Sequence, residues 1–106
     1  MINIVFFGTP AIALKSLEYL YNSEKINVLA VVTQPDKPAG RGHKLTMSPI
    51  KEFALQKGLP VFQPKSIRKE PDIQEELKKL KPDFFVTFAF GQILSQEVLD
   101  IPRYET

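Results

Sequence analysis

Three short apolar runs punctuate the chain: Ile2 to Phe7, Val28 to Val32, and Phe84 to Ala89. Each is rich in β-branched or aromatic residues, and none alternates cleanly with polar positions. Apolarity continued over five or six residues marks a strand buried on both faces, as in a parallel sheet. A weaker strand is expected at Val61-Phe62, closed by Pro64. Between the runs the spacing changes. Ala13, Leu14, Leu17, Leu20 and Tyr21 recur at three- and four-residue intervals and form one helical stripe, with Thr9 as the expected cap and Pro10 at the first helical position. Ser48-Pro49 repeats that signal ahead of Ile50, Phe53, Ala54 and Leu55, with Gly58 as the stop. Ile73, Leu77 and Leu80 mark a third helix ended by Pro82, and Ser95 is the expected cap of a short fourth helix through Val98 and Leu99, closed by Pro102.

Strand and helix alternate from the first residue, which predicts an α/β sheet with right-handed crossovers. One long irregular stretch interrupts the alternation, Thr33 to Met47, and loops of that length inside a domain are usually functional or disordered. The 106 residues fit one compact domain or a large piece of one. The tail from Asp100 to Thr106 lacks capping character, and a sheet of about four strands leaves an edge or face uncovered. The expectation is therefore a fragment, against the alternative of a complete small flavodoxin-like domain.

Charge sharpens the picture. The net is only +2, but between Gln34 and Glu70 eight lysines and arginines face three carboxylates. Such a basic segment suits a polyanionic partner or a solvated face. The absence of cysteine excludes disulfides, thiolate metal sites and a Cys nucleophile. No run approaches the roughly 20 apolar residues that span a bilayer, and Met1 is followed at once by a strand, so a soluble cytoplasmic protein without membrane contact is expected.

In open parallel sheets, ligands bind beyond the carboxyl ends of the strands. Three segments leave strands there. Gly8-Thr9-Pro10 opens a helix, and its backbone N–H groups could meet an anion; a tight turn with a helix cap is the alternative. It is not a dinucleotide fingerprint, because Pro10 and Ala13 stand where glycines would be needed. The stretch from Gln34 to Lys44 sets Lys37, Arg41, His43 and Lys44 on a frame of prolines and of Gly40 and Gly42. That frame reads either as a solvated loop or as a cationic arm, in which arginine supplies a planar fork for phosphate. Phe88, Ala89, Phe90, Gly91, Gln92, Ile93 and Leu94 form an apolar exit, open to core packing or to a flat heteroaromatic ligand. No acid–base or nucleophile constellation emerges, and the lone His43 does not read as a metal ligand.

Five motifs in order carry a resemblance: Phe6-Phe7-Gly8-Thr9-Pro10, Val32 to Gly42, Ser48-Pro49-Ile50-Lys51, Gly58 to Pro64, and Phe90-Gly91-Gln92-Ile93-Leu94. Together they resemble the methionyl-tRNA formyltransferase family over essentially the whole chain. The resemblance implies a Rossmann-like, doubly wound, mostly parallel domain, with a small C-terminal barrel in longer members. It implies formyl transfer from 10-formyltetrahydrofolate to the α-amine of initiator methionyl-tRNA, without a metal and without an obligate protein partner. The segment Lys37 to Lys44, around Gly40, Arg41 and Gly42, is similar to the arm that approaches tRNA, and Phe88 to Leu94 to the strand exit lining the folate pocket. The family's catalytic Asn, His and Asp would lie beyond Thr106, so residues 1–106 are expected to be the N-terminal portion of the catalytic domain, inactive alone. A sugar-amine formyltransferase fragment and a standalone RNA-binding module are the competing readings.

Overall fold

The three apolar runs and the weaker Val61-Phe62 segment become the strands of one parallel sheet in the computed structural model, which describes residues 1–39 and 44–104. In chain order the elements are β1 (Ile2–Gly8), α1 (Ala11–Asn22), β2 (Ile26–Val32), β3 (Lys37–Ala39), β4 (Lys44–Thr46), α2 (Pro49–Gln56), β5 (Val61–Phe62), a 3₁₀ turn (Ile67–Lys69), α3 (Pro71–Lys79), β6 (Phe84–Phe88) and α4 (Gln96–Leu99). The main sheet has the order β5-β2-β1-β6, all parallel. This is the α/β, Rossmann-like arrangement that the alternation and the resemblance implied.

Both faces of β1 are covered, which is why its sequence does not alternate. Ile4 and Phe6 pack with Ala13 and Leu17 of α1 and with Ile50 and Ala54 of α2. Val5 and Phe7 point the other way, into Ile67, Leu77 of α3, Phe85 and Val98 of α4. Removing a side chain of this size from water stabilises by about 1.5–3 kcal/mol, so each of these four β1 residues contributes substantially to folding. Pairing with β2 slips once, with Ile4 opposite Val28 but Val5 opposite Ala30. The extra residue, Leu29, packs on the same side as Ala30, as a bulge allows.

The strand β6 departs from expectation. It ends at Phe88, one residue early, and only Phe85 within it is buried. Its apolar run predicted burial on both faces, but β6 is the edge of the described sheet, where no other strand covers its outer side.

The cap signals hold for α2 and α4, whereas α1 forms where its apolar stripe predicts but without the expected cap. Ser48 Oγ accepts from Lys51 N at 3.1 Å, and Ser95 Oγ from Val98 N at 3.3 Å. At the end of α2, Gly58 has φ +71°, Leu59 N donates to Ala54 O and Gly58 N to Leu55 O. Those paired bonds terminate the helix in the way a left-handed glycine makes possible. For α1, Pro10 is the cap residue and no side chain caps it, because Thr9 is engaged elsewhere. The loop Thr33 to Met47 is also more regular than expected: β3 and β4 pair antiparallel, with Lys37 opposite Thr46 and Ala39 opposite Lys44.

No helix among the described residues is long and apolar enough to cross a membrane.

Candidate active-site rim

The sheet order reverses between β1 and β6, so their carboxyl ends form the switch point at which open α/β sheets place ligands. Gly8 and Phe88 are paired there. A Cβ on Gly8 would stand 2.7 Å from Phe6 Cε1 and 2.9 Å from Phe88 O, so the two strand ends close only around a residue without a side chain.

Thr9 leaves β1 at this point and spends its hydroxyl across the rim. Its Oγ1 donates to Phe90 O at 3.1 Å and accepts from Gln34 N at 3.2 Å. Thr33 Oγ1, fully buried, lies 3.4 Å from Thr9 Oγ1 and 3.0 Å from Ser48 Oγ. The exits of β1, β2 and β6 and the start of α2 are thus tied by three hydroxyls.

A second set of bonds runs through glutamine amides. Gln92 Nε2 donates to Gln34 Oε1 at 2.7 Å and to Pro64 O at 2.8 Å, while its Oε1 accepts from Ile67 N at 2.8 Å. Both amide hydrogens of Gln92 are therefore committed. Gln63 Nε2 reaches Gln34 O at 3.3 Å and Asp36 Oδ1 at 2.8 Å. Asp36 Oδ2 completes the chain by accepting from Lys51 Nζ at 2.8 Å. The hydrogen bonds from Lys51 and Gln63 hold the Asp36 carboxyl below the usual aspartate range, against an opposing effect of burial.

The segment after β6 is shaped by its backbone. Ala89 has φ +52° and Gly91 φ +90°, two left-handed residues around Phe90. A non-glycine residue in that region costs energy, and such strain concentrates at functional sites. The double turn sends the Phe90 ring into the core, 5.3 Å from Phe7 and nearly perpendicular to it. Phe88 and Ile93 remain outside, 40% and 74% exposed.

The formyl transferase family model matches residues 2–106. The chain belongs to the formyl transferase family. Among curated relatives, the methionyl-tRNA formyltransferase of Thermosynechococcus vestitus is 54% identical over 102 residues, covering 96% of this chain and 31% of the relative. That of Clostridium perfringens is 56% identical over 101 residues, covering 95% and 32%, and that of Francisella tularensis 52% over 103 residues, covering 97% and 33%. The chain spans about a third of the length of these relatives.

In this formyl transferase chain the residues read from sequence are partly brought together and partly reassigned. Gly8 and Thr9 sit at the switch point, Thr9 as a cross-rim clamp rather than a helix cap. Phe88 and Ile93 take the exposed reading of their segment, and Phe90 takes the core reading, leaving only its carbonyl on the rim. Gln92 clamps Ile67 N, Pro64 O and the Gln34 side chain. Lys37 and Lys44 belong to the β3–β4 ribbon, whereas Gly40, Arg41, Gly42 and His43 lie outside the described residues. Gln34, Asp36, Lys51 and Gln63 were missed as site-builders. All four stand within the motifs that carry the resemblance, and Gln34 and Gln63 follow strand ends within two residues. Among the described residues no cluster of three His, Cys, Asp or Glu could hold a metal.

A separate cleft of about 410 Å³ lies at the opposite end of the strands, lined by Asn3, Lys78, Lys81, Asp83 and Arg103 among others. It opens at the amino ends of β1 and β6, away from the switch point.

Proposed function

We propose that this chain is the N-terminal portion of the catalytic domain of a methionyl-tRNA formyltransferase, a cytoplasmic enzyme of translation initiation. The reaction moves a formyl group from 10-formyltetrahydrofolate to the α-amine of methionine esterified on initiator tRNA. An N–C bond forms between that amine and the formyl carbon, the bond from the carbon to the folate nitrogen breaks, and the proton lost by the amine is balanced by one gained at the folate nitrogen.

One observation carries the reading: the root of the basic ribbon and the exit of β6 meet on a single rim, joined by the 2.7 Å bond between Gln92 and Gln34. A polyanionic acceptor and a flat donor must converge at one place for transfer, and this rim offers both kinds of surface. Identity above 50% to relatives bearing the name supports the specific acceptor.

The residues present fit a folate on one side. Exposed Phe88 and Ile93 supply apolar area for a ring, and the left-handed turn at Ala89 and Gly91 turns backbone toward the rim. The donor, when bound, supplies the formyl carbon. Residues 1–106 bind and orient, with Thr9 and Gln92 fixing the exit of β6 that carries Phe88 and Ile93, and with Lys37, Arg41, His43 and Lys44 as the residues that take the RNA. No residue of this chain is assigned to proton transfer or oxyanion stabilisation, and no metal is required.

The test compares residues 1–106 with the full-length protein that contains them, each given 10-formyltetrahydrofolate and either methionyl-tRNA or a nucleotide-linked amino sugar. Turnover of methionyl-tRNA by the longer protein alone is expected. Turnover by residues 1–106, or preference for the amino sugar, would overturn the reading.

A further inference from the structure

The two legs of the β3–β4 ribbon are fastened to the same turn of helix. The outgoing leg starts at Lys37, directly after Asp36, whose carboxylate bridges Lys51 in the first turn of α2. The returning leg ends at Thr46, two residues before Ser48, the cap of that helix. Ser48 is in turn held to Thr33 at 3.0 Å, one residue beyond the end of β2. A two-stranded ribbon of three residues a side is marginal in isolation, so its direction is set at its root.

We propose that Asp36 is a positioning residue that aims the cationic ribbon at the acceptor RNA, acting through Lys51 and Gln63. This rests on the reading of the ribbon as the RNA-facing segment. The returning leg is secured by backbone continuity into α2. Beside its backbone continuity with β2, the outgoing leg is held by Asp36 Oδ2 to Lys51 and Asp36 Oδ1 to Gln63, and further back by bonds of Gln34 to Gln63, Thr9 and Gln92. Asp36 makes the two of these bonds that stand nearest the ribbon. Its side chain is 21% exposed and that of Lys51 18%, so water competes poorly for the pair. Neither side chain belongs to the two hydrophobic cores, so loosening the root leaves the sheet intact.

Charge and position pull in opposite directions here, which makes the proposal decidable by sign. Asp36→Ala removes a negative charge from a basic segment and unmasks Lys51, so electrostatics alone would strengthen RNA binding. Loss of aim would weaken it.

In the full-length protein, Asp36→Ala is expected to raise the KM for methionyl-tRNA about tenfold, on the scale of losing a charge-assisted hydrogen bond. The KM for 10-formyltetrahydrofolate and kcat should stay within about twofold, since those bonds act on the ribbon root alone. Amide hydrogen exchange across residues 37–46 should accelerate. Lys51→Arg, which keeps a donor for the carboxylate, should retain wild-type values. If Asp36→Ala fails to fold, Asp36→Asn, which still accepts from Gln63, replaces it with a smaller rise expected. An unchanged or lowered KM for tRNA, with ribbon exchange unaltered, would overturn the proposal. A wild-type protein that does not formylate methionyl-tRNA would instead remove the functional reading, and the exchange measurement would then decide whether Asp36 anchors the ribbon.

Discussion

The Gln92 amide nitrogen donates to Gln34 Oε1 at 2.7 Å, joining residues 58 positions apart in the chain. The same side chain also holds Pro64 O and Ile67 N, so one residue gathers the exits of β2, β5 and β6. Leucine at this position fills similar volume and offers no hydrogen bond. It leaves the Ile67 N–H, the Pro64 carbonyl and the Gln34 amide without their partner, each costing about 1 kcal/mol or more where water is restricted. Gln92→Leu is expected to lower stability by about 2–4 kcal/mol in urea denaturation. A loss below about 0.5 kcal/mol would show that water replaces the clamp without penalty.

Gly8 tests the tightness of the switch point. An added Cβ meets Phe6 Cε1, Phe88 O and Ala13 Cβ at 2.7, 2.9 and 3.1 Å. One of these is backbone of the neighbouring strand and another is a fully buried ring, so neither yields cheaply. Gly8→Ala is expected to cost about 3 kcal/mol, at the upper end of core overpacking. Differential scanning calorimetry measures it, and a Tm unchanged from wild type would mean that β1 and β6 can part at no cost.

Two glycines with positive φ separate backbone strain from contact. Gly58 at φ +71° would place a Cβ in open space, whereas Gly91 at φ +90° would place one 2.8 Å from Gln34 Nε2. Gly58→Ala should therefore cost about 1 kcal/mol, the price of a left-handed non-glycine residue. Gly91→Ala should cost about 2 kcal/mol, because Gln34 must swing away and release Gln92. In a Gln34→Ala background the two alanine substitutions should become equal, a comparison made by a double-mutant cycle. Persistence of the difference would place its origin outside Gln34.

The reach of the sequence followed the range of the interactions. Strands β1 and β2 were legible because burial on both faces leaves an unbroken apolar run, and α2 because Ser48, Pro49 and Gly58 act within a few residues of themselves. Thr9 misled because a threonine before Pro10 satisfies a local rule, while its actual partners are 25 and 81 positions away. The ribbon was hidden by its brevity, three residues on each leg with Pro38 in one of them. Phe90 fitted core and pocket equally well until the left-handed turns at Ala89 and Gly91 fixed its direction. The amide network was beyond reach, since nothing in the spacing of Gln34, Gln63 and Gln92 says that they converge.

Asp36 gives the fold an acid-side signature whose sign follows from its partners. In the folded protein, hydrogen bonds from Lys51 and Gln63 hold its carboxyl below the usual range, and unfolding returns it to the ordinary aspartate value. A carboxylate depressed on folding stabilises fully above the unfolded pKa, near 4, and loses that contribution as pH falls through the folded value. The stabilisation that depends on Lys51 exists only while Asp36 is ionised. The Tm gap between wild type and Lys51→Met should hence be constant from about pH 5 to pH 8, where Asp36 is charged in both states. Below about pH 4 it should shrink and approach closure, as protonation leaves Lys51 without an anion in either protein. Thermal unfolding in a series of buffers at fixed ionic strength reads the gap directly. A gap that changes between pH 6 and pH 8 would point to a different titrating group, and one that survives undiminished near pH 2 would mean that Lys51 stabilises through its methylene stem and not through the Asp36 carboxylate.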